Sequence, residues 1–165
     1  MEILFLGLIL VALMVYASTK IKRNSAKAYE EERIEGNGFS LIKPDGFLHN
    51  LHARDGADFE AYSKEFGKDD ASSYRQATLK LQRASDDIAS VQKAIRATAD
   101  SIAQDPESGV LEVERTDDGF PVNVFYKFEN NNGKLYELQA VVLREHKEDY
   151  LRRIQRLFES FRIKE

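Results

Sequence analysis

The chain has 165 residues, a net charge of −4, a hydrophobic fraction of 42% and a charged fraction of 32%. This length and composition indicate one folded domain of ordinary size rather than a disordered chain. The absence of cysteine excludes disulfides, iron–sulfur clusters, thiolate zinc sites and a cysteine nucleophile.

The charge is unevenly distributed. Four basic residues between Lys20 and Lys27 oppose Glu2, so residues 1–27 carry +3 and the remainder carries −7. An acidic body argues against nucleic acid as a partner.

The N-terminal segment is apolar. No charged residue occurs between Ile3 and Thr19. This run of about 17 residues is at the short end of the length of a membrane-spanning helix. We expect a transmembrane anchor over residues 1–19 that contacts the lipid bilayer through residues 3–19.

A cleavable signal peptide is the alternative for this segment. Val15-Tyr16-Ala17 has small or aliphatic residues where signal peptidase requires them. Such a signal normally begins with a basic region, yet Glu2 is the only charged residue before the apolar run. The flanks therefore favour a retained anchor.

Basic residues follow the apolar run at Lys20, Lys22, Arg23 and Lys27. Because lysine and arginine beside a membrane span tend to remain in the cytoplasm, they favour a cytoplasmic domain at the cell membrane. A periplasmic or lumenal domain is the alternative. We interpret residues 20–36 as a polar stalk, and contact between its basic residues and anionic headgroups is a further hypothesis.

The predicted folded domain covers residues 37–165 and begins with strands. A short apolar run at residues 39–42 stops at the Pro44 turn, and residues 58–66 are rich in aromatic side chains. Residues 76–83 alternate apolar and polar side chains at the two-residue period of a half-buried strand. We expect a strand at each of these three places.

An amphipathic helix is predicted next. Apolar residues recur at helical spacing at Ile88, Val91, Ile95 and Ile102. Ser85, followed by two aspartates, suits the N-terminus of this helix.

Three closely spaced strands follow, over residues 110–115, 121–129 and 134–144. Asp118-Gly119 and Asn132-Gly133 lie between them and provide the positive φ values that tight hairpin turns need. The pattern predicts an antiparallel meander.

A second amphipathic helix is predicted near the C-terminus from Leu151, Ile154, Phe158 and Phe161. Together the elements predict an α+β fold, in which an antiparallel sheet packs with two amphipathic helices and follows one N-terminal transmembrane helix.

The opening GFSLIKPDGF, the order of strand, helix and meander, and the ending ESFRI resemble the PsbP-like, or Mog1/PsbP, α/β/α sandwich superfamily. The resemblance covers roughly residues 37–163 and includes bacterial-type members of unknown role. It implies a non-enzymatic accessory or assembly subunit that docks on a membrane complex. The matching positions are core and turn residues, with no cofactor or catalytic residue among them: Phe39, Pro44, Gly46, Phe161 and Arg162.

Two of the three histidines, His49 and His52, are close in sequence, and Asp55 could join them as a metal ligand. We favour ordinary turn or exposed histidines, and we expect neither a metal site nor a cofactor. The sequence has no nucleophile elbow, Walker loop, H-E-x-x-H motif or dinucleotide fingerprint. We therefore expect no enzymatic activity.

Arg152, Arg153 and Arg156 form a basic patch on the predicted outer side of the last helix. A solvated helix face explains such a patch, and a docking surface for an acidic partner is the functional alternative. These arginines are the candidate partner-binding residues.

The preferred function is that of a membrane-anchored, non-catalytic accessory or assembly subunit that binds a membrane protein complex. The alternative is an exported PsbP-like domain that binds a small ligand or a metal. A hydrolase without a recognised motif is the third hypothesis.

Overall fold

The computed structural model describes residues 2–51, 56–84 and 87–164. In chain order its helices and strands are α1 (Glu2–Ala28), β1 (Glu32–Gly36), β2 (Phe39–Lys43), β3 (Phe47–His49), β4 (Phe59–Ser63), β5 (Ala77–Ala84), α2 (Ile88–Ala97), β6 (Ser101–Gln104), β7 (Leu111–Asp117), β8 (Phe120–Asn131), β9 (Lys134–Leu143), α3 (Lys147–Ser160) and β10 (Arg162–Ile163). Short 3₁₀ turns cover Asp69–Ala71 and Arg144–His146.

The strands form two antiparallel sheets. The large sheet has the order β3-β4-β5-β9-β8-β7-β6, and the small sheet has the order β1-β2-β10. Tight turns join β7 to β8 and β8 to β9, where Asp118 and Asn132 have φ values of 50° and 51° and each precedes a glycine. The predicted antiparallel meander is confirmed.

Each face of the large sheet carries a separate apolar core. Helix α3 and the small sheet pack on one face, where Leu138 and Ala140 lie against Ile154 and Leu157. Helix α2 packs on the other face through Ile95. Val122, Val124 and Tyr126 share this second face, as their alternation predicts. The α+β sandwich expected from the sequence is thus present.

Helix α2 is shorter than the sequence predicts. Its N-cap is Asp87, whose carboxylate accepts hydrogen bonds from two backbone amides of the first turn. Ser85 and Asp86, predicted at this terminus, lie outside the described residues. The helix ends at Ala97, and Ile102 lies on β6 with 37% of its surface exposed. The predicted continuation of the helix was wrong because this segment pairs with β7 instead.

Helix α1 continues beyond the predicted anchor of residues 1–19 and ends at Ala28. Within the described ranges, no helix combines the length and apolar character needed to cross a membrane, so the predicted transmembrane helix is not found there. The last part of the predicted stalk, Glu32–Gly36, is strand β1. It pairs with β2 along its whole length and buries Ile34, so the stalk prediction needs correction at this end.

Candidate functional site

The predicted partner-binding arginines lie on α3, away from its buried stripe. Arg153 Nη2 is 3.4 Å from Asp45 Oδ2, and Arg156 Nη1 is 2.8 Å from Glu31 Oε2. Two of the three guanidinium groups therefore pair with carboxylates of this chain, while Arg152 is exposed. The structure brings the arginines onto one helix, and partner binding by them stays a prediction.

The predicted membrane-flanking residues Lys20, Lys22, Arg23 and Lys27 are exposed on the C-terminal half of α1. Lys27 lies in the last helical turn, where a cation interacts favourably with the helix dipole. This placement gives Lys27 a structural role that is independent of lipid.

Lys43, which the sequence reasoning missed, joins α1 to the sheets. Its side chain has no exposed surface. The amine donates hydrogen bonds to three backbone carbonyl oxygens: Ala28 at 3.1 Å, Glu30 at 2.6 Å and Phe47 at 2.8 Å. Burial lowers the pKa of Lys43, and the negative charges of Glu32 and Asp45 oppose that shift.

The alternation of strand β2 contains the signal for this burial. Phe39 and Leu41 are both buried, and Lys43 follows them on the same face at the two-residue period. A lysine in that position must be buried with acceptors for all its protons. The predicted apolar run ended at residue 42, so it left out Lys43, the last residue of β2.

A groove of about 830 Å³ lies between α3 and the β7–β8 part of the large sheet, and we call it the α3 groove. The segment from Ala103 to Val110 forms its outer wall. Both apolar and charged side chains line the groove. The large apolar side chains are Val110, Phe125, Leu151, Ile154 and Phe158. The charged side chains are Asp105, Glu107, Glu112, Lys127, Lys147, Glu159 and Arg162.

The floor of the α3 groove carries a polar network. Lys147 Nζ lies 2.6 Å from Glu112 Oε1, and Asn123 Nδ2 donates to the same oxygen at 2.8 Å. Asn123 is 1% exposed, so this network holds a buried amide in place. The adjacent Glu114 is 3.3 Å from a guanidinium nitrogen of Arg144. Glu112, the carboxylate that lines the floor, is thus paired within the domain.

One lysine of the groove stabilises the end of α3. Lys127 Nζ donates to the carbonyl oxygen of Phe158 at 2.9 Å and lies 3.4 Å from Glu129 Oε1. Carbonyl groups in the last turn of a helix lack intrahelical donors, so this contact satisfies one of them.

The outer wall of the groove ends in an ordered turn. The Ser108 hydroxyl and the Glu107 amide donate to the carboxylate of Asp105, and these bonds lower the pKa of Asp105. Gly109 has a φ of 68°, which a residue with a side chain rarely adopts. The turn connects β6 to β7 and borders the groove.

The histidines do not assemble a catalytic or metal centre in the part of the chain that the structure describes. The His49 ring packs 5.2 Å from the Phe59 ring, and burial lowers the pKa of His49. His52 and Asp55 lie outside the described residues. Within those residues, no three His, Asp or Glu side chains are grouped to hold a metal ion.

The third histidine, His146, is buried at the start of α3. Its ring nitrogens lie 3.3 Å from carboxylate oxygens of Glu145 and Asp149. Asp149 lies in the first turn of α3, where an acidic side chain interacts favourably with the helix dipole, and Glu145 lies in the 3₁₀ turn before the helix. The α3 groove is the feature best suited to binding, because Lys147 and Glu112 of its floor are paired with each other and its walls offer apolar surface.

No protein-family model and no curated protein matches this chain. Among solved structures, the fold is similar to that of LpqN from Mycobacterium tuberculosis, which is involved in cell envelope biogenesis. The TM-score is 0.54 and the identity 13%, over 82% of this chain and 91% of LpqN.

Two further structures are similar. CyanoP, the cyanobacterial PsbP of Synechocystis sp. PCC 6803, gives a TM-score of 0.45 and 11% identity over 82% of this chain and 94% of CyanoP. A protein of Bacteroides thetaiotaomicron VPI-5482 gives 0.47 and 12% over 84% of this chain and 49% of that protein.

LpqN and CyanoP have PsbP-like folds. The likeness to LpqN shows that this chain has a PsbP-like fold, so the resemblance noted in the sequence is confirmed at the level of the fold. Proteins with one fold carry out many functions, and the likeness assigns none of them to this chain.

Proposed function

We propose that this protein is a membrane-anchored accessory or assembly subunit that binds a membrane protein complex through the α3 groove and catalyses no reaction. The observation that carries the proposal is the α3 groove itself. It combines a floor of paired charges with apolar walls, which suits recognition of a partner surface better than chemistry on a substrate.

The membrane anchor in this proposal rests on the sequence of α1. The uncharged run of residues 3–19 approaches the length of a span. Within the described side chains, this helix exposes a series of large apolar residues: Ile9, Leu10, Val11, Leu13, Met14, Val15 and Tyr16. Exposed apolar surface of this extent favours burial in lipid or against another protein.

The contacts of Lys43 support a tether that positions the domain. Because its amine binds the carbonyl oxygen at the end of α1, the direction of the helix is coupled to the sheets. A domain held in this way near a membrane meets a membrane partner at a high effective concentration. The basic residues after the apolar run favour the cytoplasmic side, and the envelope role of LpqN is compatible with a place at the cell membrane.

The experiment is detergent extraction of the full chain followed by identification of the proteins that co-purify. Gln155→Arg fills the α3 groove from an exposed position on α3 and should reduce co-purification of a stoichiometric membrane protein. Gln92→Arg is the matched control, because it makes the same substitution on α2, on the opposite face of the sheet.

Three results would contradict the proposal. Unchanged co-purification with the Gln155→Arg protein would show that the α3 groove is not part of the binding site. A lone monomer that retains a metal or a metabolite would favour the exported ligand-binding function. Loss of the partner in Arg152→Glu alone would move the site to the exposed arginine of α3.

A further inference from the structure

Strand β6 is an unprotected edge of the large sheet. It is the last strand in the sheet order and pairs with β7. All four of its residues, Ser101–Gln104, are exposed and uncharged, and none is proline. Edge strands usually carry charges, prolines or bulges that prevent further pairing, so this edge is open to another strand.

The hydrogen bonds next to β6 determine which backbone groups face outward. Asp105 N donates to Val110 O at 3.0 Å, which continues the antiparallel ladder with β7. The backbone N–H and C=O groups of successive residues in such a ladder point alternately towards and away from the paired strand. Those of Ala103 therefore point towards β7, and those of Ile102 and Gln104 point away from the sheet. An added strand would bond to those groups.

The same edge opens into the α3 groove. Ala103 and Gln104 belong to the groove wall, opposite Leu151 and Phe158 of α3. In a strand added beside β6, every second side chain would point towards this groove. Main-chain bonds would then provide affinity, and the groove would select side chains.

The charge around the edge specifies the partner. Asp100 and Asp105 flank β6, and Glu107 follows in the turn, all three exposed. A second copy of this chain paired at β6 would place two further aspartates beside these, which is repulsive. Basic residues at the ends of the added strand would instead be attracted.

We infer that the β6 edge binds an extended segment of a partner protein with apolar residues at alternate positions and basic residues at its two ends, as an added antiparallel strand with its apolar side chains in the α3 groove. The inference rests on the proposed binding function and names the chemistry of the partner at that site.

The test uses the full chain in detergent micelles and two short synthetic peptides that share a central run of alternating valine and serine, one with lysines at both ends and one with glutamates at both ends. We expect the lysine peptide to bind and to slow hydrogen exchange at the Ile102 and Gln104 amides. The glutamate peptide should bind at least about tenfold more weakly.

Ile102→Pro removes one outward N–H and leaves the β7 ladder intact, and it should reduce binding of the lysine peptide by about tenfold. Ile102→Val is the matched control and should bind normally. Equal binding of both peptides, or exchange protection away from β6, would overturn the inference even if Ile102→Pro failed to fold.

The outcomes also separate this inference from the proposed function. If the lysine peptide does not bind while the membrane partner still co-purifies in a manner sensitive to Gln155→Arg, only the strand addition is wrong. Concentration-dependent dimers that Ile102→Pro abolishes would show that a second copy of this chain binds the β6 edge. That result would also overturn the inference.

Discussion

The amine of Lys43 lies 3.1 Å from the carbonyl oxygen of Ala28, the last residue of α1. This hydrogen bond joins a helix to a strand that is separated from it by the whole of β1. The ammonium has three protons and donates to three carbonyl oxygens, so each proton has an acceptor, although burial still lowers the pKa of Lys43.

Replacing Lys43 by methionine should destabilise the fold by about 2 to 4 kcal/mol, because the carbonyl groups that it binds would lose a charged donor. The free energy of unfolding from urea titration measures the loss. Lys64→Met, at an exposed position, is the control and should change it by less than about 0.5 kcal/mol. A stable Lys43→Met protein would show that the carbonyls find other donors.

Glu137 should make stability depend on pH. It is 7% exposed, and burial raises its pKa above the ordinary 4.5, although Gln82 and Lys80 oppose the shift. The charged form therefore destabilises the folded state above the raised pKa, and this penalty disappears as the pH falls below 4.5.

Glu137→Gln should consequently stabilise the fold by about 1 kcal/mol at pH 7 and have little effect below pH 4. Glu107→Gln, at an exposed turn, is the control that should show no such trend. Parallel stability curves for wild type and Glu137→Gln across this pH range would refute the role of burial.

The N-cap of α2 should control how readily that helix unfolds locally. Asp87 accepts bonds from the amides of Ala89 and Ser90 at 2.9 and 3.0 Å, and the Ser90 bonds lower its pKa below 3.8. Its stabilisation is present above pH 3.8 and is lost as the pH falls through the lowered value.

Asp87→Ala should therefore speed hydrogen exchange in α2 at neutral pH, whereas Asp87→Asn should retain most of the protection because asparagine also caps helices. Equal exchange in wild type and Asp87→Ala would show that tertiary packing alone holds α2.

Removal of residues 1–27 should leave a folded domain, because Ala28 and Glu30 still provide acceptors for Lys43. Association with the membrane partner should weaken sharply, since a tethered encounter becomes bimolecular. Circular dichroism checks the fold, and co-sedimentation with membranes that contain the partner checks binding. Undiminished sedimentation would mean that the domain needs no anchor.

Local pattern was sufficient to predict the central strands and α3. The alternation in β5 and the two glycine turns around β8 act over a few residues, and the structure contains all three features. Strand β6 was missed because Ile102 continues the helical spacing from Ile95, while its pairing with β7 depends on residues that follow the turn at Gly109.

The candidate site was harder to predict because its walls come from distant parts of the chain. Gln104 and Phe158 face the same groove, yet no spacing rule connects them. The arginines of α3 were recognisable as exposed from the helical stripe. Their partners Asp45 and Glu31 lie just after β2 and just before β1, so these ion pairs depend on how the small sheet packs against α3.

The sheet order also has a consequence for folding kinetics. Strands β8 and β9 meet through a two-residue turn at Asn132, so their hairpin forms from local contacts. Strand β5 must then find β9 from far away in the chain, as in the pairing of Gln82 with Glu137 across 55 positions. Closing that loop costs entropy before any pairing is gained, so we expect the docking of β5 to limit the folding rate.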